Sequence, residues 1–148
     1  MTNTPLPSVA LAAVPGRRKR TLELAQEIER RGYAGIYCAS FGDAMGLCEA
    51  IALSTSRIRF GTAIANMYTR HVLDYAQSAS FIHELSGGRF TFGVGVSHGP
   101  MNERLGVSAG KPLADSRRFA EQYKGASRVG ELAPLVLAAL RKKMVALA

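Results

Sequence analysis

Few side chains in this sequence are placed to do chemistry, and the most suggestive are Ser97 and His98, at the end of the stretch GGRFTFGVGVSHG, Gly87 to Gly99. A histidine following an apolar run can move a proton, donate a hydrogen bond or hold an anion. The competing reading is a loop histidine satisfied by neighbouring backbone. Gly93-Val-Gly95 in the same stretch raises the dinucleotide fingerprint, GxGxxG at a strand-to-helix turn with an acidic residue about 20 positions on. The third position is His98, the glycines lie inside the apolar run, and a proline follows, so that fingerprint is not met. Glycines within a strand instead admit close approach by another backbone or by a flat ligand.

His71 follows Arg70 just ahead of a helical pattern and His83 lies within one, which gives both a structural reading. The three histidines and two cysteines have no short ligand spacing, and no metal site is expected. Cys38 and Cys48 lack CxxC spacing and Thr2 to Pro7 is polar, so reduced thiols in a soluble, cytoplasmic protein are expected. The net charge of +8 admits an anionic partner. Its clusters, Arg17-Arg18-Lys19-Arg20, Arg30-Arg31, Arg117-Arg118 and Arg141-Lys142-Lys143, fall mostly at helix starts or polar helix faces, without interleaved aromatics. A solvated surface accounts for them, and nucleic acid is not an expected partner.

Strand and helix patterns alternate around these residues. Five short apolar runs, Ser8 to Val14, Gly35 to Ser40, Ile58 to Ala65, Arg89 to Val96 and Pro134 to Ala138, are each followed by turn residues or by helical periodicity. The first helical pattern carries Leu22, Ala25 and Ile28 on one face; the third carries Val72, Tyr75, Ala76, Ala79 and Ile82 at i, i+3, i+4, i+7 and i+10. A further helix is expected from Pro112, with Phe119, Ala120 and Tyr123 facing the core. Such alternation makes an α/β fold of parallel strands, open or closed into a barrel. A closed barrel needs eight units and about 250 residues. The 148 residues supply about five units, so a single domain over residues 1–148, a C-terminally incomplete partial barrel, is expected.

The third and fourth units carry a family likeness. RIRFGTAIANMYTRH followed by DYAQSASFIHELSGGRFTFGVGVSHGPMNERLG resembles the luciferase-like monooxygenase superfamily, the flavin- and deazaflavin-dependent oxidoreductases of bacterial luciferase type. There a strand ending in GT leads to a helix closed by a D/E-x-L-S-x-GR phrase, and the next strand reads F-x-x-G-x-G. Here the phrase is HELSGGRFTFGVGV, with NERLG after it, and the likeness extends into GKPLADSRRFAE and LAALRKKMVALA.

The resemblance implies a TIM-barrel-like (β/α) fold with FMN or an F420-type deazaflavin lying over the C-terminal strand ends. It implies hydride transfer between that ring and a small organic substrate, with oxygen as co-substrate in the monooxygenase branch. The positions matching the family's cofactor contacts are Ser40, Phe41, Ala63, Ile64, Asn66 and Ser97, and His98 is the catalytic candidate. Many relatives have a non-proline cis peptide in strand three, and Ala63-Ile64 is the matching bond. Ser40-Phe41 stands where deazaflavin relatives often carry an Asp-His pair, with Asp43 out of register. Cofactor-phosphate contacts come substantially from later units of the family. The alternative reading is a non-catalytic part-barrel that associates with itself as a structural or regulatory protein.

Overall fold

The structure is a computed structural model that describes residues 6–148. The elements follow one another as β1 (Val9–Leu11), α1 (Arg18–Arg30), β2 (Gly35–Cys38), α2 (Ala44–Ser54), β3 (Arg59–Thr62), β4 (Ala65–Asn66), α3 (Val72–Leu85), β5 (Phe90–Gly95), α4 (Gly99–Arg104), α5 (Pro112–Lys124), β6 (Leu135–Leu137) and α6 (Lys142–Val145). Every strand pairing is parallel, in the order β1-β2-β3-β5, with β4 and β6 also pairing β5. The sheet does not close, and the fold is a partial α/β barrel.

Helices α1, α2, α3 and α5 lie side by side against the sheet. Their buried residues include Ala25 and Ile28 in α1, Leu47, Cys48, Ile51 and Ala52 in α2, Val72, Tyr75, Ala76, Ala79 and Ile82 in α3, and Phe119 and Tyr123 in α5, whereas Leu22 and Ala120, also expected on core faces, are half-buried. Phe92 of β5 stands at their centre, its ring centroid 5.3 Å from Tyr75, 6.3 Å from Phe119 and 5.4 Å from Tyr123. Burying a side chain of that size stabilises the fold by about 2–3 kcal/mol. On the opposite face of the sheet Ala10, Tyr37 and Val136 remain exposed.

The run Ile58 to Ala65, expected as one strand, is divided. β3 ends at Thr62, the Ala63–Ile64 peptide is cis, and β4 resumes at Ala65. Two different stretches of β5 receive the two pieces, Phe60 opposite Phe90 and Ala65 opposite Val94. α4 lies between β5 and the helix expected from Pro112, where the sequence shows no helical period. Among the described residues no helix is long and apolar enough to cross a membrane.

Candidate functional site

Parallel sheets collect ligands at the C-terminal ends of their strands, and a cavity of about 430 Å³ opens there. Its lining comes from four places: Ser40, Phe41 and Asp43 after β2, Ala65 and Asn66 of β4, Arg70 and Tyr75 at the start of α3, and Ser97, Met101 and Arg104 after β5. Four of the anticipated cofactor positions, Ser40, Phe41, Asn66 and Ser97, therefore meet in one cavity. Ala63 and Ile64 are not in its lining; they precede the lining residue Ala65, with Ile64 packed beside Gly95. His98 is exposed at the N-cap of α4, next to the lining residue Ser97, and does not itself line the cavity.

The polar atoms of Asn66 are engaged within the protein. Its Nδ2 donates to Asn102 Oδ1 at 2.8 Å, its Oδ1 accepts the Tyr68 N–H at 3.1 Å, and its carbonyl oxygen accepts the hydroxyls of Tyr75 at 2.8 Å and Thr69 at 2.9 Å. Asn66 thus shapes the cavity floor instead of reaching into it. Burial pushes the Tyr75 phenol above its ordinary value, which keeps it protonated as a donor. Arg70 lies over the Tyr75 ring, 5.7 Å from its centroid, and faces Asp43 at 3.4 Å and Asp74 at 3.8 Å. Asp43 caps α2, its Oδ1 accepting the Gly46 N–H at 3.0 Å.

The remaining histidines are structural. His71 caps α3, Nδ1 accepting the Leu73 N–H at 3.2 Å, and buried His83 places Nδ1 3.2 Å from the Phe90 carbonyl oxygen. Burial pushes the Cys48 thiol well above its ordinary value, and neighbouring Cys38 adds to this, so Cys48 does not offer a reactive thiolate; both cysteines are buried.

Gly95-Val-Ser97-His98-Gly99 also has the outward form GxSxG, and Ser97 turns between strand and helix at φ 58°. A nucleophilic serine needs a histidine base within hydrogen-bond reach. Among the described residues no histidine lines the cavity, so the geometry favours a hydroxyl that binds over one that attacks.

The family model described as luciferase-like monooxygenase matches residues 4–148. The chain belongs to that family. It is 26% identical over 104 residues to a 5,10-methylenetetrahydromethanopterin reductase of Methanolobus tindarius, a match covering 68% of this chain and 32% of that protein. The coenzyme F420-dependent tetrahydromethanopterin reductase of Methanopyrus kandleri superposes with a TM-score of 0.78 at 18% identity, over 97% of this chain and 52% of the other. The oxygenating constituent of the 3,6-diketocamphane monooxygenase from Pseudomonas putida, solved with FMN, superposes with a TM-score of 0.69 at 14% identity, over 80% of this chain and 38% of the other. The luciferase-like chain thus spans about a third of the curated relative and about half of the reductase structure.

Arg70, Tyr75, Met101 and Arg104 of the cavity wall were not anticipated as site residues. Helical periodicity marks Tyr75 as core, and only the placement of α3 against β4 brings its hydroxyl to the cavity edge.

Proposed function

We propose that this luciferase-like chain forms the ring-binding part of a flavin- or deazaflavin-dependent oxidoreductase acting on a small organic substrate. The cavity at the strand ends carries the reading, because its volume of about 430 Å³ lies within the range of about 300–1,000 Å³ typical of ligand pockets. Its lining fits a flat heteroaromatic ring: Phe41 and Met45 offer apolar surface, while Ser40 and Ser97 offer hydroxyls to polar ring edges. FMN or an F420-type deazaflavin would supply the hydride chemistry when bound.

The chain's own part is to hold and shield that group. Ser40, Phe41 and Ser97 bind it, Ala63 and Ile64 back it, and His98 on the rim exchanges a proton with substrate or solvent. Residues 1–148 act as a single unit in this reading. Fluorescence titration of FMN and of F420 with the full chain tests it. Saturable, stoichiometric quenching of either supports the assignment, and unchanged emission of both at high micromolar concentration removes it.

A second reading, a non-catalytic part-barrel that associates with itself, rests on the exposed face bearing Tyr37 and Val136 and on the open edges β1 and β6. Light scattering separates the two: a dimer without cofactor binding favours the second, and a monomer that quenches FMN or F420 leaves only the first.

A further inference from the structure

α4 cannot hold itself in place. Its six residues fall well below the roughly 12–15 at which isolated helices begin to persist in water. Met101 and Arg104 of this short helix, with Leu105 after it, nevertheless form the outer wall of the cavity. Only one of its residues, Asn102, is buried, at 4% exposure. Asn102 Nδ2 donates to the Val96 carbonyl oxygen at 3.0 Å, and its Oδ1 accepts from Asn66 Nδ2 at 2.8 Å. The Asn102 carbonyl oxygen also accepts the Val107 N–H at 3.0 Å, which anchors the chain leaving the helix.

One orientation of the two amides satisfies this set. Turning Asn102 over would set its NH2 against that of Asn66 and its oxygen against the Val96 carbonyl; turning both would set the Asn66 NH2 against the Tyr68 N–H. The wall is therefore tied to both strands that frame the cavity, to β4 through Asn66 and to the end of β5 through Val96. A buried amide pair of this kind specifies one arrangement and is costly to leave half-satisfied.

We infer that Asn102 is a positioning residue: clasped to Asn66, it fixes α4 as the outer wall of the ring-binding cavity, so that Met101, Arg104 and Leu105 set which substrates fit beside the ring. The selecting role rests on the cofactor assignment proposed above, whereas the clasp itself does not. Its loss frees α4 locally without dismantling the sheet, because Asn102 contributes nothing to the aromatic core around Phe92.

Limited trypsin digestion of the full chain, followed by intact mass, reads the clasp at the Arg104–Leu105 bond. Asn102→Ser and Asn102→Asp are expected to be cut there about tenfold faster than wild type, in keeping with the loss of one buried hydrogen-bond pair. Cleavage after Lys124 should change little, and the melting temperature should fall by only about 2–6 °C in a single cooperative transition. Asn66→Ser combined with Asn102→Ser should be cut no faster than Asn102→Ser alone, as for two residues of one interaction. Saturating FMN or F420 should slow the cut in wild type, and this protection should be lost in Asn102→Asp, a result that a purely structural asparagine would not give. Wild-type cleavage rates in the Asn102 variants would overturn the clasp. Quenching without protection of the Arg104 bond would overturn the wall, while absence of quenching in wild type would remove the cofactor assignment and leave the digestion comparison standing.

Discussion

The Thr62 hydroxyl donates to the Gly93 carbonyl oxygen at 2.6 Å, and the Thr62 carbonyl oxygen occupies the place where a side chain at Gly93 would begin. The glycine in the middle of FTFGVG is thus closed against the backbone of β3, at the point where β3 gives way to the Ala63–Ile64 peptide. Its role is close backbone approach, not room for a ring. Gly93→Ala is expected to lower stability by about 3 kcal/mol, because the colliding atom is main chain and cannot swing aside. Gly87→Ala provides the comparison: Gly87 has φ +63° but open space around it, and that change should cost about 1–2 kcal/mol. Urea unfolding of both variants measures the difference, and equal costs would show that β3 yields at this contact.

Arg89 ties three elements together. Its guanidinium donates to the carbonyl oxygens of Ser86, Ile58, Ala52 and Thr55 and to the Thr55 hydroxyl, at distances from 2.8 to 3.0 Å, and lies 5.2 Å from the Phe60 ring centroid. The C-terminal carbonyls of α2, which have no partners inside the helix, are satisfied this way. Lysine brings one ammonium in place of a planar fork. Arg89→Lys should therefore destabilise by about 2–3 kcal/mol, seen as a lower melting temperature with the helical circular dichroism of the folded state retained. A change below about 0.5 kcal/mol would show that water replaces these bonds without cost.

Much of this fold is legible in the sequence because its signals are local. Apolar runs and helical spacing place most of the elements and the C-terminal strand ends, whereas Ser40, Phe41, Asn66 and Ser97 come from the family resemblance carried by phrases such as HELSGGR. Two features were hidden for physical reasons. α4 is too short to show a period and begins with Gly99-Pro100, which reads as loop. The division of Ile58 to Ala65 into β3 and β4 is set by register against β5, a tertiary property of two separate segments. Likewise the amides of Asn66 and Asn102 meet across 36 positions, and no local pattern records that the asparagine expected to face a cofactor faces another asparagine.

Glu29 predicts a pH dependence. Its carboxylate accepts the N–H groups of Ser56 and Ile58 at 2.9 Å and of Arg57 at 2.6 Å, holding the turn that leads from α2 into β3. Partial burial opposes the charge, but the three backbone donors and the Arg57 cation outweigh it and hold the pKa below its ordinary 4.5. A carboxyl with a lowered folded-state pKa adds stability that is fully present above the unfolded value and lost as pH falls through the folded one. Glu29→Gln should cost about 1–2 kcal/mol at neutral pH. It should also flatten the fall in melting temperature below pH ~4.5. Parallel melting curves for variant and wild type from neutral to strongly acidic pH would count against this role for Glu29.

On the proposed function, Ser97 sets stability against binding at the cavity. It sits in the left-handed region, φ 58°, where a residue with a Cβ is held at a cost of roughly 1–2 kcal/mol relative to glycine. Its neighbours in sequence include Gly95 and Gly99, so glycine would suit the turn. A serine kept there is explained if its hydroxyl, which lines the cavity, holds the bound ring. Ser97→Gly is then expected to stabilise the fold by about 1 kcal/mol while weakening FMN or F420 binding about three- to tenfold, the scale of one hydrogen bond. Ser97→Val should lose stability, because a β-branched residue fits this backbone worst. Thermal melts and fluorescence titrations on the same preparations separate the two effects. If Ser97→Gly binds the cofactor as tightly as wild type, the hydroxyl has no part in the site and the turn alone accounts for the residue's conformation.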